Sequence, residues 1–269
     1  MGVITASQNS AVYRKDNHIL RVPGDYLLAK AEPFGGFQSL NLEQLPNRDS
    51  LVYGDKYGIQ SASSIFRGTL RYRGFSALLY VFKNMGLLCQ TETGAATWKE
   101  TLEVLSKKQG FSDVRSHILS SAGGDKDLAS RAQRCLEWLH LNEMPVSDSS
   151  SIVRSFCDVL EQRLAFEDDE RDMVVMQHSI VASFSDGRTE THTSSLQLFG
   201  DEQMTAMCKT VGYTAAIGTR LILDGVIPTK GLLLPTSKDV YIPALDLLEK
   251  EGIIFEEQVH TEYDQEKVV

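Results

Sequence analysis

Two long strand-like runs separated by a single tight-turn signal constrain this chain more than any other feature. Met173–Phe184 (MVVMQHSIVASF) and Thr189–Phe199 (TETHTSSLQLF) flank Ser185-Asp186-Gly187-Arg188. Asp-Gly between two β-rich runs is a strong local hairpin signal, because both residues tolerate the left-handed backbone that such turns need. Runs of this length predict an antiparallel hairpin belonging to a broad sheet with one face covered.

The rest of the chain is read around that hairpin. Upstream, the first third has the character of strands and turns. His18–Val22 alternates and stops at Pro23-Gly24, and Ser64–Tyr72 (SIFRGTLRY) carries aromatic and β-branched residues in alternation. The middle is helical. Phe75, Leu78, Leu79, Phe82 and Met85 recur at helical spacing before Gly86. Trp98, Leu102 and Leu105 repeat the pattern ahead of Gly110; Leu128, Ala132, Cys135, Leu136 and Leu139 form a third stripe, and Ile152, Phe156, Val159 and Leu160 a fourth. Downstream, Met204–Leu223 and Val240–Lys250 read as helices, Ile253–Glu256 as one more strand, and the acidic tail from His260 as loose. No internal repeat is present.

The architecture predicted is α/β in the α+β sense: a mixed, largely antiparallel sheet drawn from both ends of the chain, with an inserted helical lobe. Residues 1–74 and 166–259 are expected to form the sheet-containing domain, 75–165 the helical lobe, and 260–269 a flexible acidic tail.

Composition narrows the function. Hydrophobic residues make up 42% and charged residues 23% of 269 residues, enough apolar material for a sizeable core. The formal charge of −9 disfavours nucleic acid as a partner. Cys89, Cys135, Cys157 and Cys208 lack Cys-x-x-Cys spacing, so neither a disulfide framework nor a zinc site is expected. Met1–Asn17 has no basic stretch followed by an apolar core, and no apolar run approaches the roughly 20 residues that span a bilayer. The expectation is a soluble chain, cytoplasmic or mitochondrial and not secreted, with no membrane partner.

Several chemistries lack their motifs. Gly-x-Gly-x-x-Gly after a strand, the phosphate-binding Gly-x-x-x-x-Gly-Lys-Ser/Thr loop and the Gly-x-Ser-x-Gly elbow are all absent from the sequence. His178 and His192 face each other roughly across the hairpin, although histidines so placed are usually packing or surface residues and not a metal pair. Cationic residues supply the positive signal. Arg67, Thr69, Arg71 and Arg73 fall on one side of an extended segment, because strand side chains repeat every second residue. Arg48 stands in a proline-led turn with Asn47, Asp49 and Ser50. Guanidinium groups grip carboxylates in a two-pronged manner. Two readings stand side by side: a seat for a ligand with several carboxylates, or a solvated strand face paired with local acids.

A resemblance adds to this. Pro46-Asn47-Arg48-Asp49-Ser50, Tyr57-Gly58-Ile59 and Arg67-Gly68-Thr69-Leu70-Arg71-Tyr72 occur in that order. They are followed by Arg171-Asp172-Met173-Val174, Asp186-Gly187-Arg188, Lys209-Thr210-Val211-Gly212-Tyr213 and Leu221-Ile222-Leu223-Asp224-Gly225. Lys230-Gly231-Leu232-Leu233 through Tyr241-Ile242-Pro243-Ala244-Leu245 closes the series. The whole resembles the C-terminal substrate-binding part of the glutamate-forming saccharopine dehydrogenases, a family that includes the dehydrogenase half of alpha-aminoadipic semialdehyde synthase. Such enzymes oxidise saccharopine, a compound with three carboxylates, to glutamate and aminoadipic semialdehyde with NAD or NADP.

By this resemblance Arg48 holds a ligand carboxylate, and Thr69, Leu70 and Arg71 line the same site through backbone and side-chain groups. Asn47 and Ser50 are support, and Arg67 and Arg73 remain unassigned. The resemblance also implies a homodimer, with sheet faces shaping the substrate cleft and the dimer contact. The family begins with a Rossmann domain, and Met1 already aligns inside the second domain. No bound cofactor is therefore expected for this chain, and the function expected is substrate binding and dimerisation without catalysis alone. No catalytic base is assigned; Asp49 is expected to orient Arg48. The alternative is a non-catalytic dimerisation or regulatory module that keeps the fold.

Overall fold

The structure, a computed structural model, describes residues 2–263. The chain divides into two compact units, Met1–Ala165 and Phe166–Val269.

The first unit opens with a short helix, α1 (Gly2–Ala6), and a hairpin of β1 (Ala11–Lys15) and β2 (His18–Val22). Asp16 and Asn17, both at positive φ (49° and 64°), make its two-residue turn, the form whose twist matches the flanking strands. A second antiparallel sheet has the order β3–β4–β5, from β3 (Glu32–Phe34), β4 (Leu42–Pro46) and β5 (Gly68–Tyr72). Helix α2 (Val52–Tyr57) lies in the connection between β4 and β5.

The helical lobe follows: α3 (Phe75–Asn84), α4 (Trp98–Lys108), α5 (Val114–Ser121), α6 (Lys126–Trp138) and α7 (Ile152–Arg163). Its helices start where the sequence provides caps. Thr97 and Glu100 form a reciprocal capping box on α4, and the Asp113 and Asp125 carboxylates accept main-chain bonds at the starts of α5 and α6. Trp98 and Phe156, both fully buried, meet edge-on with centroids 6.1 Å apart, and Phe82 meets Phe156 at 5.8 Å. Leu28 and Leu45 join the same apolar cluster as the helices, which ties the early strands to the lobe. Residues up to 74 lie in the same compact unit as the helices, and the chain divides after Ala165.

His117 illustrates how the lobe responds to pH. It is fully buried, its ring stacks on Phe111 at 4.7 Å, and Nδ1 lies 3.0 Å from the Ser106 hydroxyl. That hydroxyl donates to the Leu102 carbonyl, so Nδ1–H is the donor to it, and Nε2 faces the Asn84 carbonyl, which it can bond once the ring is protonated. Burial pushes the imidazole below its ordinary 6.5, partly offset by the Asn84 carbonyl. A base depressed in the fold binds its proton more readily when unfolded. Stability is therefore complete above about pH 6.5 and falls as the pH drops through that value toward the folded pKa. Thermal unfolding at pH 7 and pH 5 is expected to give a lower midpoint at pH 5, with a smaller difference in His117→Gln.

The second unit holds the predicted hairpin as β6 (Met173–Ser183) and β7 (Arg188–Phe199), paired without a break from Met173↔Phe199 to Ser183↔Thr189. The turn spans Ser185–Gly187, with Gly187 at φ 83° closing it. Helices α8 (Ala206–Cys208), α9 (Thr214–Leu223) and α10 (Lys238–Lys250) follow, and a π-helical segment, Lys209–Tyr213, splits the expected single helix. Leu196 and Leu198 pack with Ile217, Leu221, Leu248 and Ile253.

Strand β8 (Glu256–Tyr263) pairs with β7 from Ser195↔Glu256 to Arg188↔Tyr263. The loose tail expected from His260 is therefore a strand as far as Tyr263, held by main-chain pairing although every residue of β8 is exposed. Residues 264–269 of that expected tail lie outside the described residues.

The fold is mixed α/β with antiparallel sheets, as predicted. The strands from the two ends form separate sheets, and the one parallel contact among the described residues is an isolated bridge, Val12↔Asp49. No helix among the described residues is long and apolar enough to cross a membrane.

Candidate functional site

Arg48 sits just beyond the end of β4. Pro46 closes the strand, and the chain turns through Asn47–Ser50 with Arg48 at φ 55°. A left-handed backbone at a non-glycine residue costs about 1 kcal/mol and persists where neighbours fix it. They do so here. Asn47 N–H donates to the Arg67 carbonyl (2.9 Å), Val12 N–H to the Arg48 carbonyl (2.8 Å), and Ser50 N–H to the Val12 carbonyl (2.8 Å). The buried Ser50 hydroxyl accepts from Arg67 N–H at 3.0 Å. The turn is locked on both sides while the Arg48 side chain is exposed, with no acid partner among the described residues.

Asp49 does not orient Arg48 as expected. Its Oδ1 accepts from Leu51 N–H at 2.8 Å, in the turn just before α2. An Asp side chain finds the amide two residues on without reaching across the turn.

Thr69, Leu70 and Arg71 lie on β5, opposite Leu45, Gln44 and Glu43. Thr69 and Arg71 share one face of the sheet and Leu70 takes the other. Main-chain bonds from Asn47 to Arg67 and from Arg73 to Asn41 fix the pairing phase. Thr69 and Arg71 therefore bond to β4, while the main chain of Leu70 points away from it. The Leu70 carbonyl takes a 2.8 Å bond from the Arg71 guanidinium. That guanidinium is half-buried, lies 5.7 Å from the Phe75 ring centroid, and has no acid partner among the described residues. Burial pushes its pKa down.

The acid facing Arg71 across the strands is committed elsewhere, and sequence reasoning missed it. Glu43 is buried (6% exposed) and accepts from Gly74 N–H and Ser76 N–H, each at 2.8 Å, at the start of α3. A carboxylate on these free amides satisfies two donors and complements the helix dipole. Of the unassigned arginines, Arg67 lies over the Tyr53 ring at 5.9 Å, and Arg73 is exposed in the turn after β5.

Arg48 thus stands just beyond the end of β4, and residues 69–71 run along β5 away from that end, with Arg71 opposite Glu43, five residues before Arg48 in the chain. A cavity of about 250 Å³ in the helical lobe, lined by Leu102, Ile118 and Leu136 among others, does not include them. Nor does one of about 360 Å³ in the second unit, lined by His178, Ser194, Glu249, Phe255 and Glu257 among others. His178 and His192 lie in adjacent rows of the hairpin, opposite Ser194 and Ile180. His178 packs near Phe255 and His192 bonds to Glu190. No group of three or more metal-ligating side chains occurs among the described residues.

Antiparallel sheets with a helical lobe recur in a solved structure. The chain matches apo saccharopine dehydrogenase (L-Glu forming) from Saccharomyces cerevisiae with a TM-score of 0.86 and 33% identity, over 96% of this chain and 60% of that one. Residues 1–253 match the saccharopine dehydrogenase C-terminal domain, and the chain belongs to that family. Among its relatives, alpha-aminoadipic semialdehyde synthase of Arabidopsis thaliana is 36% identical over 94% of this chain and 26% of its own length. Saccharopine dehydrogenase [NADP(+), L-glutamate-forming] of Schizosaccharomyces pombe is 34% identical over 96% of this chain and 60% of its own length. The chain therefore spans less than two thirds of these relatives.

Proposed function

We propose that this chain supplies the carboxylate-binding part of a saccharopine dehydrogenase of lysine metabolism, with Arg48, Thr69, Leu70 and Arg71 lining the seat for saccharopine. The observation that carries the reading is Arg71: a guanidinium drawn half out of water, without an acid partner among the described residues, on the strand that pairs with the one leading into the locked turn of Arg48. A partly desolvated cation is costly, and a ligand carboxylate offsets that cost through charge-assisted bonds. Leu70 adds main-chain groups directed away from β4.

NADP, named for the relatives, needs a different kind of cradle. Dinucleotides rest where a glycine-rich turn joins a parallel strand to a helix. The described residues pair in antiparallel sheets and lack that turn, so they do not fit the cofactor. The role proposed for them is binding and positioning, with no step of hydride transfer assigned.

Calorimetric titration of saccharopine into the 269-residue chain tests this. Saturable binding is expected, weakened about tenfold or more in Arg48→Ala, in keeping with loss of a charge-assisted contact. Absence of binding at millimolar saccharopine overturns the proposal. A dimerisation or regulatory module is the second reading, supported by the apolar exposure of the long sheet: Ile180, Val181 and Val259 are each more than half exposed. A homodimer without saccharopine binding would favour it.

A further inference from the structure

Saccharopine presents three carboxylates, and the site as described offers two guanidinium groups. We infer that Arg131, on α6, is the third cation of the seat and determines specificity for a tricarboxylate over a dicarboxylate. This rests on the carboxylate-binding role proposed above.

The inference starts from Gly74, at the junction of β5 and α3. Gly74 has φ 97°, and a Cβ built on it would collide with the Arg131 guanidinium. Glycine at this position thus does two things: it takes the left-handed turn, and it lets a charged group from another helix lie directly on the backbone. The next residue, Phe75, carries the Arg71 guanidinium near its ring. Arg71 from β5 and Arg131 from α6 therefore converge on one dipeptide.

Helical spacing explains the placement. Leu128, Ala132 and Cys135 of α6 pack into the core of the lobe, and Arg131 falls at the margin of that stripe. Its side chain emerges beside α3, where Glu43 already occupies the Gly74 and Ser76 amides. Among the described residues Arg131 forms no ion pair, and the nearby Glu43 carboxylate is committed to the Gly74 and Ser76 amides. Arg73, also exposed, has no ion pair and no such contact among the described residues.

Titrating saccharopine and L-glutamate into the chain and its Arg131→Ala, Arg131→Lys and Arg73→Ala variants tests the assignment. Arg131→Ala is expected to weaken saccharopine about tenfold and to leave L-glutamate, with two carboxylates, unchanged. Arg131→Lys should recover part of the loss, and Arg73→Ala should change neither ligand. Saccharopine binding that persists in Arg131→Ala but falls in Arg48→Ala overturns the role of Arg131 and leaves the carboxylate seat standing. An equal loss of both ligands in Arg131→Ala also overturns its role in discrimination. A wild-type chain that binds no saccharopine overturns both.

Discussion

Glu43→Ala is expected to lower the stability of the first unit by about 3 kcal/mol, because two main-chain donors lose a charged acceptor at once. Glu43 is buried, and its two oxygens each take one amide, those of Gly74 and Ser76. Water cannot readily replace a carboxylate in that position. Glutamine does not substitute well, since its amide nitrogen would face one of the two N–H groups as a second donor. Urea unfolding gives the loss directly. The same change is expected to weaken saccharopine binding, because the clamp fixes the turn between Arg71 and the start of α3.

Phe156→Ala is expected to cost about 4 kcal/mol, in the range for removing a large aromatic from a closed core. Phe156 has no exposed surface and is the ring that both Trp98 and Phe82 meet edge-on. Removing it takes away both aromatic contacts and leaves a void bounded by α3, α4 and α7. Against a typical total of about 5–15 kcal/mol, the loss is a large fraction of stability. Denaturant midpoints for the wild type and the variant measure it, and a change under 1 kcal/mol would mean that the lobe repacks around the gap.

Much of the fold is readable in the sequence where burial imposes a period. The hairpin of β6 and β7 announces itself through β-branched runs around Asp186-Gly187, and α3, α4, α6 and α7 through apolar stripes. Strand β8 is not readable, because all eight of its residues are exposed and pairing with β7 alone defines it. Helix α5 is short and has a weak stripe. The separation of the strands into distinct sheets depends on tertiary packing, such as Leu28 and Leu45 entering the lobe's core, which no local pattern encodes.

The site divides in the same way. Alternating arginines on β5 and Arg48 in its turn are visible as an anion seat. Glu43 is not, since a lone acid in Leu42–Pro46 looks like a solvent-facing residue and its amide partners lie 31 and 33 residues downstream. Adjacency in sequence points Asp49 toward Arg48, whereas the amide of Leu51 is the donor its carboxylate meets. Arg131 lies in a stretch where the ordered family motifs give no guide, and only the packing of α6 beside Gly74 brings it forward.

A structure of the chain soaked with saccharopine measures the central claim most directly. The account predicts ligand carboxylate oxygens about 2.7–3.2 Å from the guanidinium nitrogens of Arg48 and Arg71. Saccharopine lodged instead in the cavity beside His178 and Phe255, with both guanidinium groups bare, would contradict it.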